Sequence, residues 1–448
     1  MFLSEPVLTK RIPTWPWGDP AERTLVSGKQ FAATGGYEAL RQAIAMDPAD
    51  VVEAVKASQL RGRGGAGFPC GVKWGFLPEP DGGRRYLAIN CDEAEPGTFK
   101  DRLLVDYDPH LVLEGIAICC WACKLDTAYF FIRGEYRHQA KVFENAIKEA
   151  YDMGIFGGSG LMGGAVDFKV DCHLHRSAGA YICGEETGLL EAIEGKRGWP
   201  RIKPPFPAIK GLFGRPTIVN NVETLAAVPD IVSRGADWYT TLGCESAIGG
   251  PPSFGTKLVG ASGHVNRPGV YELGLGFSLK DFIESDDYCR GMRAGAAYKG
   301  AIPGGVSMGI LGTDQYDVAM DFDIGKQCDV LGLGTACPTV FDEHTDMIMV
   351  ARNISRFFKN ESCGQCTPCR EGAQWLYKLL VKIEQGDATG KDLDLLLEIA
   401  GSMGTMPGTT ICGLADGNNW AVKTIVNKFR GEFEARLQPA AGAATVGV

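Results

Sequence analysis

Apolar residues in the first half of the chain follow two alternating patterns. Short apolar runs at 86–90 and 127–133 are typical of buried β-strands. The segments 108–125 and 135–152 instead have the three- and four-residue spacing of apolar positions that indicates helices. Strands that alternate with helices over 60–230 predict an α/β layer architecture.

The pattern changes after residue 243. Strand, turn, strand and helix patterns from Lys257, with a further strand at 317–323, predict a small α+β module. Four helical patterns with short connections follow, which predict an antiparallel four-helix bundle. They cover 342–362, 369–386, 391–404 and 417–437. We therefore expect domains at 1–245, 250–335 and 340–438, and a disordered tail at 439–448.

Glycine and cysteine are both unusually abundant. Glycine accounts for 60 of 448 residues, about twice the usual share of about 7%, which indicates tight turns or close backbone approaches. The cysteine count of 15 is odd, so intramolecular disulfides cannot pair all of them. The N-terminus has no long apolar core, and no apolar run reaches the ~18 residues of a membrane span. We expect a cytosolic, reducing compartment, with cysteines as thiols or metal ligands.

The formal net charge of −9 argues against binding to nucleic acid, because phosphate backbones need clustered cations.

Three cysteines near the C-terminus have the spacing C-x-x-C-x-x-C. Cys363, Cys366 and Cys369 lie in ESCGQCTPCREG, and thiolates at this spacing converge around a compact object such as a metal cluster. A single zinc is typically held by two separate C-x-x-C pairs, whereas these three cysteines form one continuous C-x-x-C-x-x-C run. The alternative is a set of buried thiols, but close thiols without a role are an oxidation hazard.

A [4Fe–4S] cluster needs four ligands. The tandem ferredoxin pattern would place another cysteine at position 373, which is alanine. Cys412, in TTICGLADG, lies between the third and fourth predicted bundle helices, at the same end of the bundle as the first three cysteines. We therefore predict Cys412 as the fourth ligand.

The segment 62–67 fits G-x-G-x-x-G. A dinucleotide-binding Rossmann loop follows a strand, whereas the segment before this loop is helical in pattern. Four glycines in six residues still let backbone N–H groups approach a flat ring or a phosphate. Arg61, Arg63 and Lys73 add positive charge suited to phosphates. The alternative is a sharp structural turn.

Aromatic and acidic residues follow this loop. Phe68 and Phe76 could stack on a nucleobase or a flavin, whereas ordinary core packing is the better interpretation of Trp74. Three carboxylates then follow the strand at 86–90, where α/β sheets bind ligands, although a solvated acidic loop is the alternative. They are Asp92, Glu93 and Glu95.

Together these segments resemble one family, the NADH-oxidising, FMN-bearing subunit of NADH:quinone oxidoreductase, or respiratory complex I. The matching segments lie between positions 61 and 417, in the order of the family. They are RGRGGAGFPCGVKW (61–74), NCDEAEPGTFKDR (90–102), GAYICGEETGLLEAIEG (179–195), RIKPPFPA (201–208), PTIVNNVETLA (216–226), ESCGQCTPCREG (361–372) and TTICGLADG (409–417). One departure is Cys70, where we expect a small hydroxyl residue such as threonine.

The resemblance implies a fold and three ligands. A Rossmann-like FMN- and NADH-binding domain precedes a β-grasp module of the ubiquitin-like, soluble-ligand-binding type and a four-helix bundle with a [4Fe–4S] cluster. The flavin would be held by Gly62, Arg63, Gly64, Gly65, Ala66, Gly67, Lys73, Asn90, Asp92, Gly184, Asn220 and Asn221. The NADH adenine would lie among Phe68, Phe76 and Phe206, and the nicotinamide pocket would be lined by Glu93, Glu95, Glu185, Glu186 and Lys203. Cys363, Cys366, Cys369 and Cys412 match the cluster ligands.

The implied activity is hydride transfer from NADH to FMN, followed by single-electron transfer to the cluster and onward towards quinone. Glu93, Glu95 and Glu186 are the catalytic candidates, and we hypothesise that these carboxylates, with Glu185, repel the phosphates of NAD⁺ and speed its release. The implied partners are a thioredoxin-like [2Fe–2S] subunit and a large multi-cluster subunit. The implied location is a peripheral arm on the cytoplasmic side of the inner membrane, so that contact with the membrane is indirect.

Three alternatives stay open at this point. The nearest is the homologous diaphorase subunit of an NAD-linked hydrogenase or formate dehydrogenase, whose chains often carry additional iron–sulfur domains that we do not expect here. A non-catalytic assembly protein with a structural metal would explain the cysteines but not the glycine loop. A Rossmann dehydrogenase is disfavoured by the helical segment before residue 62.

Overall fold

The first part of the fold is built on a four-stranded parallel sheet. The computed structural model describes residues 2–438. The sheet has the order β3-β2-β1-β4, and its strands are β1 (Tyr86–Cys91), β2 (Thr127–Ile132), β3 (Asp171–Arg176) and β4 (Thr217–Asn221). The two inner strands are buried along most of their length, as expected when helices cover both faces of a parallel sheet. The predicted α/β architecture is confirmed.

Helices cover one face of this sheet, and α6 lies at their centre, buried along almost its whole length. The helices of this part are α1 (Gly28–Ala33), α2 (Glu38–Ile44), α3 (Pro48–Ala57), α4 (Cys70–Trp74), α5 (Asp101–Tyr107), α6 (Pro109–Cys123), α7 (Arg137–Asp152), α8 (Leu161–Gly164), α9 (Glu186–Ile193), α10 (Pro207–Lys210), α11 (Val222–Ala226), α12 (Val228–Arg234) and α13 (Ala236–Thr240). The glycine loop at 62–67 follows helix α3, as the sequence pattern predicts. It therefore lacks the strand that a Rossmann phosphate loop requires.

A second, mixed sheet forms the middle of the chain. Its order is β10-β12-β7-β8, with β7 and β12 parallel and the other pairs antiparallel. Short strands and two helices surround it. The elements are β5 (Gly243–Cys244), β6 (Ser253–Phe254), β7 (Thr256–Gly263), β8 (Gly269–Gly274), β9 (Phe277–Ser278), α14 (Leu279–Glu284), β10 (Tyr298–Ile302), β11 (Ala319–Met320), α15 (Ile324–Gln327) and β12 (Thr339–Asp342).

Two details of this middle part differ from the sequence prediction. The segment 317–323 forms only the two-residue strand β11, because Asp321 and Asp323 bond with the 244–247 segment instead of continuing the strand. The predicted boundary at 335 falls inside the second sheet, since strand β12 begins only at Thr339. Pairing between distant strands is not visible in local periodicity, which explains this error.

The C-terminal part consists of helices that close the other face of the first sheet. They are α16 (Met347–Glu361), α17 (Thr367–Glu384), α18 (Gly390–Ser402), α19 (Leu414–Lys428) and α20 (Arg430–Glu434). The last predicted helix, 417–437, is thus two helices. Apolar residues of the bundle share one core with Ala88, Phe131 and Val219 of the first sheet and with α9. This shared core fixes the bundle against the sheet.

The N-terminal segment ties the first and middle parts together. The backbone N–H groups of Val7, Leu8 and Thr9 all donate to the buried carboxylate of Glu272 on β8. Arg11 pairs with Asp108 at 2.7 Å, and this pairing explains why Asp108 precedes α6 without capping it. Among residues 2–438, no helix combines the length and apolar character that crossing a bilayer requires. The predicted tail at 439–448 lies outside the described residues.

Candidate functional site

The main candidate site is a cleft at the carboxyl ends of β1 and β4. Strands β2 and β3 lie on one side of β1 and β4 lies on the other, so this is the point where open α/β sheets bind ligands. The cavity has a volume of about 260 Å³. Its walls come from all three parts of the chain: Gly64, Asn90, Asp92, Glu93, Glu95, Thr98, Asp101, Tyr181, Ile182, Gly184, Glu185, Asn221, Thr335, Cys412, Gly413 and Leu414.

Two asparagine side chains are fixed at the strand ends. Asn90 donates to the carbonyl of Gly184 at 2.8 Å and accepts a bond from the N–H of Asp92. Asn221 caps helix α11 and donates to the carboxylate of Asp101 at 2.7 Å. Because both amides are oriented by protein partners, they present a rigid polar wall to the cavity.

The glycine loop approaches the cavity closely at Gly64. A Cβ atom there would lie 3.0 Å from the Cβ of Asn221, so a larger residue would push the loop and the strand end apart. Gly65 and Gly67 have φ angles of +130° and +65°, which side chains disfavour. Of residues 62–67, Gly64 alone belongs to the cavity wall. The loop is thus shaped for a close backbone approach at one point.

The structure contradicts the prediction that the charge of Arg63 serves a bound phosphate. The guanidinium of Arg63 is buried, and it donates to the hydroxyl of Tyr239 at 3.0 Å and to the carbonyl of Phe254 at 2.7 Å. Its backbone N–H donates to Thr224. Arg63 therefore holds the loop from behind, and its charge does not face the cavity. Lys73 is also occupied, since its ammonium group donates to the carbonyl of Val219.

The surroundings of Asp92 favour a bound ligand that donates hydrogen bonds. Asp92 belongs to the cavity wall, and both of its carboxylate oxygens are buried without a hydrogen-bond partner. Burial raises the pKa of this carboxyl to about 7. Buried carboxylates without donors are rare in native proteins. A flavin fits this site, because its ring N–H and ribityl hydroxyl groups are donors of the kind that Asp92 lacks.

The two glutamates that follow are held in different ways. Glu93 accepts bonds from the backbone N–H groups of Asp101 and Arg102 and from Tyr136, so it orders the start of α5, and burial raises its pKa to about 7. Glu95 accepts bonds from Tyr181 and from Ser307 of the middle part. Burial raises the pKa of Glu95 despite these bonds.

Glu185, Glu186 and Lys203 form a small ionic group beside the cavity. Glu185 caps α9 by accepting from the N–H groups of Thr187 and Gly188, both at 2.8 Å. Lys203 donates to Glu185 at 3.2 Å and also to Glu186. Burial lowers the pKa of Lys203, but the two carboxylates outweigh it and raise that pKa overall. Of the three, Glu185 alone lines the cavity wall.

Asn220 does not reach the cavity. Its side chain accepts a bond from Trp74 and donates to the thiol of Cys70 at 3.4 Å, since adjacent strand residues point to opposite faces. Burial raises the pKa of Cys70 to about 12, which leaves its thiol protonated and unreactive. Asn220 therefore holds α4 on the face of β4 opposite to the cavity, and of the two asparagines only Asn221 faces the cavity.

The three aromatic candidates are exposed. Phe68 and Phe76 have exposures of 44% and 52%, and their ring centroids lie 6.0 Å apart. Phe206 is 56% exposed. None of the three belongs to the cavity wall, but exposed phenylalanines are free to stack on a planar ring.

Several wall residues were missed by the sequence prediction: Thr98, Asp101, Tyr181, Ile182, Thr335, Gly413 and Leu414. Asp101 and Tyr181 lie inside the segments 90–102 and 179–195 that carried the family resemblance. Membership of these segments could therefore have identified them as wall residues. Thr335 had none, because it belongs to the middle part and reaches the wall through a 2.6 Å bond to Thr98.

A second, smaller cavity is lined by the four predicted cysteines. Cys363, Cys366 and Cys369 come from the turn before and the start of α17, and Cys412 comes from the turn before α19. Within residues 2–438, no three His, Cys, Asp or Glu side chains are arranged to hold a single metal ion. A cubane cluster is bound at four separate irons, so its thiolates stand farther apart than those around one ion. The four cysteines fit such a cluster.

The two cavities share one wall. Ile182, Cys412 and Leu414 line both of them. A group bound in the cleft and a cluster held by the cysteines would therefore be separated by only these three residues. Proximity of this kind is what electron transfer between two redox centres requires.

Family models identify the class of protein. Residues 55–230 match the Nuo51 FMN-binding domain, and residues 349–436 match the NADH-ubiquinone oxidoreductase-F iron-sulfur binding region. The first region carries the glycine loop and both asparagines, and the second carries all four cysteines. The protein is therefore an oxidoreductase that contains FMN and a [4Fe–4S] cluster.

Relatives identify the family. The chain is 45% identical over 435 residues to the second F subunit of NADH-quinone oxidoreductase of Rhizobium meliloti (strain 1021), covering 97% of this chain and 98% of that one. It is 42% identical to the F subunit of the same enzyme of Mycobacterium bovis, covering 94% and 92%. The chain belongs to the family of F subunits of NADH-quinone oxidoreductase. It is an NADH-oxidising flavoprotein, as the resemblance implied.

A solved structure is also similar. The NAD⁺-reducing [NiFe]-hydrogenase in its H₂-reduced state contains a chain with a TM-score of 0.79 and 33% identity, covering 96% of this chain and 70% of that one. The hydrogenase alternative is thus a related family with the same fold.

Proposed function

We propose that the cleft holds FMN, that the four cysteines hold the [4Fe–4S] cluster, and that NADH binds at the cleft mouth. When bound, FMN accepts a hydride from NADH and releases electrons singly to an iron–sulfur cluster. The shared wall of Ile182, Cys412 and Leu414 carries this proposal, because these residues line both binding sites.

The chain holds the flavin by fixed polar groups and a close backbone. Gly64 lets the loop approach the ring, while Asn90, Gly184 and Asn221 provide an oriented wall. Asp92 accepts donors of the flavin through its two free oxygens. Lys73 and Asn220 act indirectly, by fixing β4 and α4 behind this wall.

The chain receives NADH through aromatic and charged side chains at the mouth. Phe68, Phe76 and Phe206 stack on the adenine. Glu95 and Glu185 line the path of the nicotinamide half, and Lys203 holds Glu186 and Glu185 together beside it. We assign to the carboxylates the repulsion of NAD⁺ phosphates, which speeds release of the product. Glu93 contributes by ordering the start of α5.

Electrons that reach the cluster need an acceptor outside this chain. The members of the family are named as parts of a larger enzyme complex. We propose a thioredoxin-like [2Fe–2S] subunit and a large multi-cluster subunit as its direct partners. The chain then lies in a peripheral arm on the cytoplasmic side of the inner membrane, and it contacts the membrane only through the complex.

An anaerobic NADH titration of the purified chain tests the proposal, with flavin and cluster absorbance followed together. We expect flavin bleaching at stoichiometric NADH and bleaching of the cluster absorbance as electrons leave the flavin. A chain that keeps its cluster but neither binds added FMN nor responds to NADH would contradict the assignment of the cleft.

A further inference from the structure

The glycine loop is held from outside by the middle part of the chain. Phe322, on the turn between β11 and α15, lies against Gly67 so closely that a Cβ on Gly67 would come within 2.5 Å of the phenyl ring. The guanidinium of Arg61 lies 3.9 Å from the centroid of the same ring. One aromatic side chain therefore contacts both ends of the loop.

Arg61 closes the loop on itself. Its Nε donates to the carbonyl of Gly67 at 2.7 Å, and one of its terminal nitrogens donates to the carbonyl of Pro251 at 3.3 Å. The phenyl ring of Phe322 covers this guanidinium, which shields the bond to Gly67 from water and adds a cation–π attraction.

The turn that carries Phe322 is itself well anchored. The backbone N–H of Phe322 donates to Ser253 at 3.0 Å. Asp323 accepts a bond from the hydroxyl of Ser246 at 2.7 Å and another from the N–H of Ala247. The ring is thus presented to the loop by a rigid support.

We infer that Arg61 and Phe322 are positioning residues that keep the glycine loop closed over its ligand, so that the middle part of the chain controls how long the flavin is retained. This inference rests on the proposed location of FMN. The loop forms one wall of the cleft through Gly64, and opening it at Gly67 would move that wall away from Asn221. Loss of Phe322 should therefore raise the rate of FMN release without altering the cleft residues.

The test compares the release of FMN from full-length variants, followed by the fluorescence of free flavin after dilution. Phe322→Ala removes the ring, and Arg61→Lys keeps the charge but removes the Nε bond to Gly67. We expect each to raise the release rate by about threefold to tenfold, because Phe322→Ala loses a partly buried cation–π contact and Arg61→Lys loses one hydrogen bond. Phe322→Tyr keeps the ring and should restore retention.

A matched control is available in Lys423 on the C-terminal helix α19, whose ammonium group lies 5.1 Å from the ring centroid of Trp420. Lys423→Ala should leave FMN release unchanged. Equal release from Phe322→Ala and the unaltered chain overturns the inference. So does an equal acceleration in Lys423→Ala, because the effect would then be general destabilisation.

Amide hydrogen exchange of residues 62–69 in the FMN-free chain separates this inference from the proposed function. Faster exchange in Phe322→Ala and Arg61→Lys, with unchanged exchange in Phe322→Tyr, supports the loop closure even if FMN binds elsewhere. Unchanged exchange in both disruptive variants overturns it. If the unaltered chain fails to bind FMN in the cleft, the proposed function fails by that separate observation.

Discussion

Tyr181 donates a hydrogen bond of 2.6 Å to the carboxylate of Glu95, which also accepts two bonds from Ser307. Glu95 follows strand β1, Tyr181 lies in the short turn before α9, and Ser307 belongs to the middle part. The carboxylate is therefore a junction of two parts of the chain at the cleft wall. Its position is fixed, so its charge acts at one defined place.

Glu95→Gln should tighten the binding of NAD⁺. Replacing the carboxylate by an amide of the same shape removes one negative charge from the wall, and a charge pair in a solvated cleft contributes about 1 kcal/mol, or about fivefold in affinity. The measurement is the inhibition constant of NAD⁺ as a product inhibitor. Glu53→Gln, on the exposed face of α3, should change nothing. If neither Glu95→Gln nor Glu186→Gln alters NAD⁺ affinity or turnover, the repulsion hypothesis is wrong.

Cys412→Ser and Cys366→Ser should have different effects on the flavin. Both remove a thiolate from the small cavity, so both should lose most of their iron. Cys412 also lines the larger cavity, whereas Cys366 does not. We expect weakened FMN binding only in Cys412→Ser, measured by fluorescence titration beside iron analysis. Equal FMN affinities in the two variants would contradict the shared wall.

Asp92→Asn should stabilise the FMN-free chain at neutral and higher pH. Burial raises the pKa of Asp92 from 3.8 to about 7, so the folded state binds this proton more tightly than the unfolded state does. The carboxyl therefore lowers stability progressively as the pH rises from about 4 to about 7. This shift bounds the gain at about 4 kcal/mol, and we expect about half of that because the asparagine amide would also be a buried polar group without a partner.

Urea unfolding at pH 5 and at pH 8 measures this effect. The stability difference between Asp92→Asn and the unaltered chain should be larger at pH 8. Asp81→Asn is a control of opposite sign, because the hydrogen bond from Arg215 lowers the pKa of Asp81 to about 2. A gain for Asp92→Asn that is independent of pH would show that the carboxyl is ionised in both states.

Lys203→Met should weaken the binding of NADH. The variant leaves Glu185 and Glu186 without their shared cation, so two carboxylates face the incoming dinucleotide. We expect KM for NADH to rise by about tenfold, equivalent to about 1.4 kcal/mol, with a smaller change in kcat. Lys196→Met is the matched control, since Lys196 pairs with Glu194 near the other end of α9. An equal rise of KM in both variants would assign the effect to α9 as a whole.

Local signals in the sequence predicted much of this protein. The alternation of strands and helices specified the α/β fold, because each element buries its apolar side chains at its own period. The tight spacing of Cys363, Cys366 and Cys369 indicated a cluster, and the four-ligand requirement directed attention to Cys412. Asp92 was recognisable because ligands bind at the strand ends of a parallel sheet, whereas Asn90 was implied by the family resemblance.

Which of the neighbouring side chains face the cleft depends on contacts between distant segments. Arg63 looked like a phosphate ligand, but its guanidinium is buried against Tyr239 and Phe254, which lie far along the chain. Asn220 and Asn221 were predicted alike, yet the pleat of β4 turns only Asn221 towards the cleft. Thr335 reaches the wall through pairings between distant segments. Such contacts leave no local periodicity. The order of amino acids was therefore enough to predict the elements and the types of ligand, whereas the packing of three parts around one cleft selected the side chains that meet there.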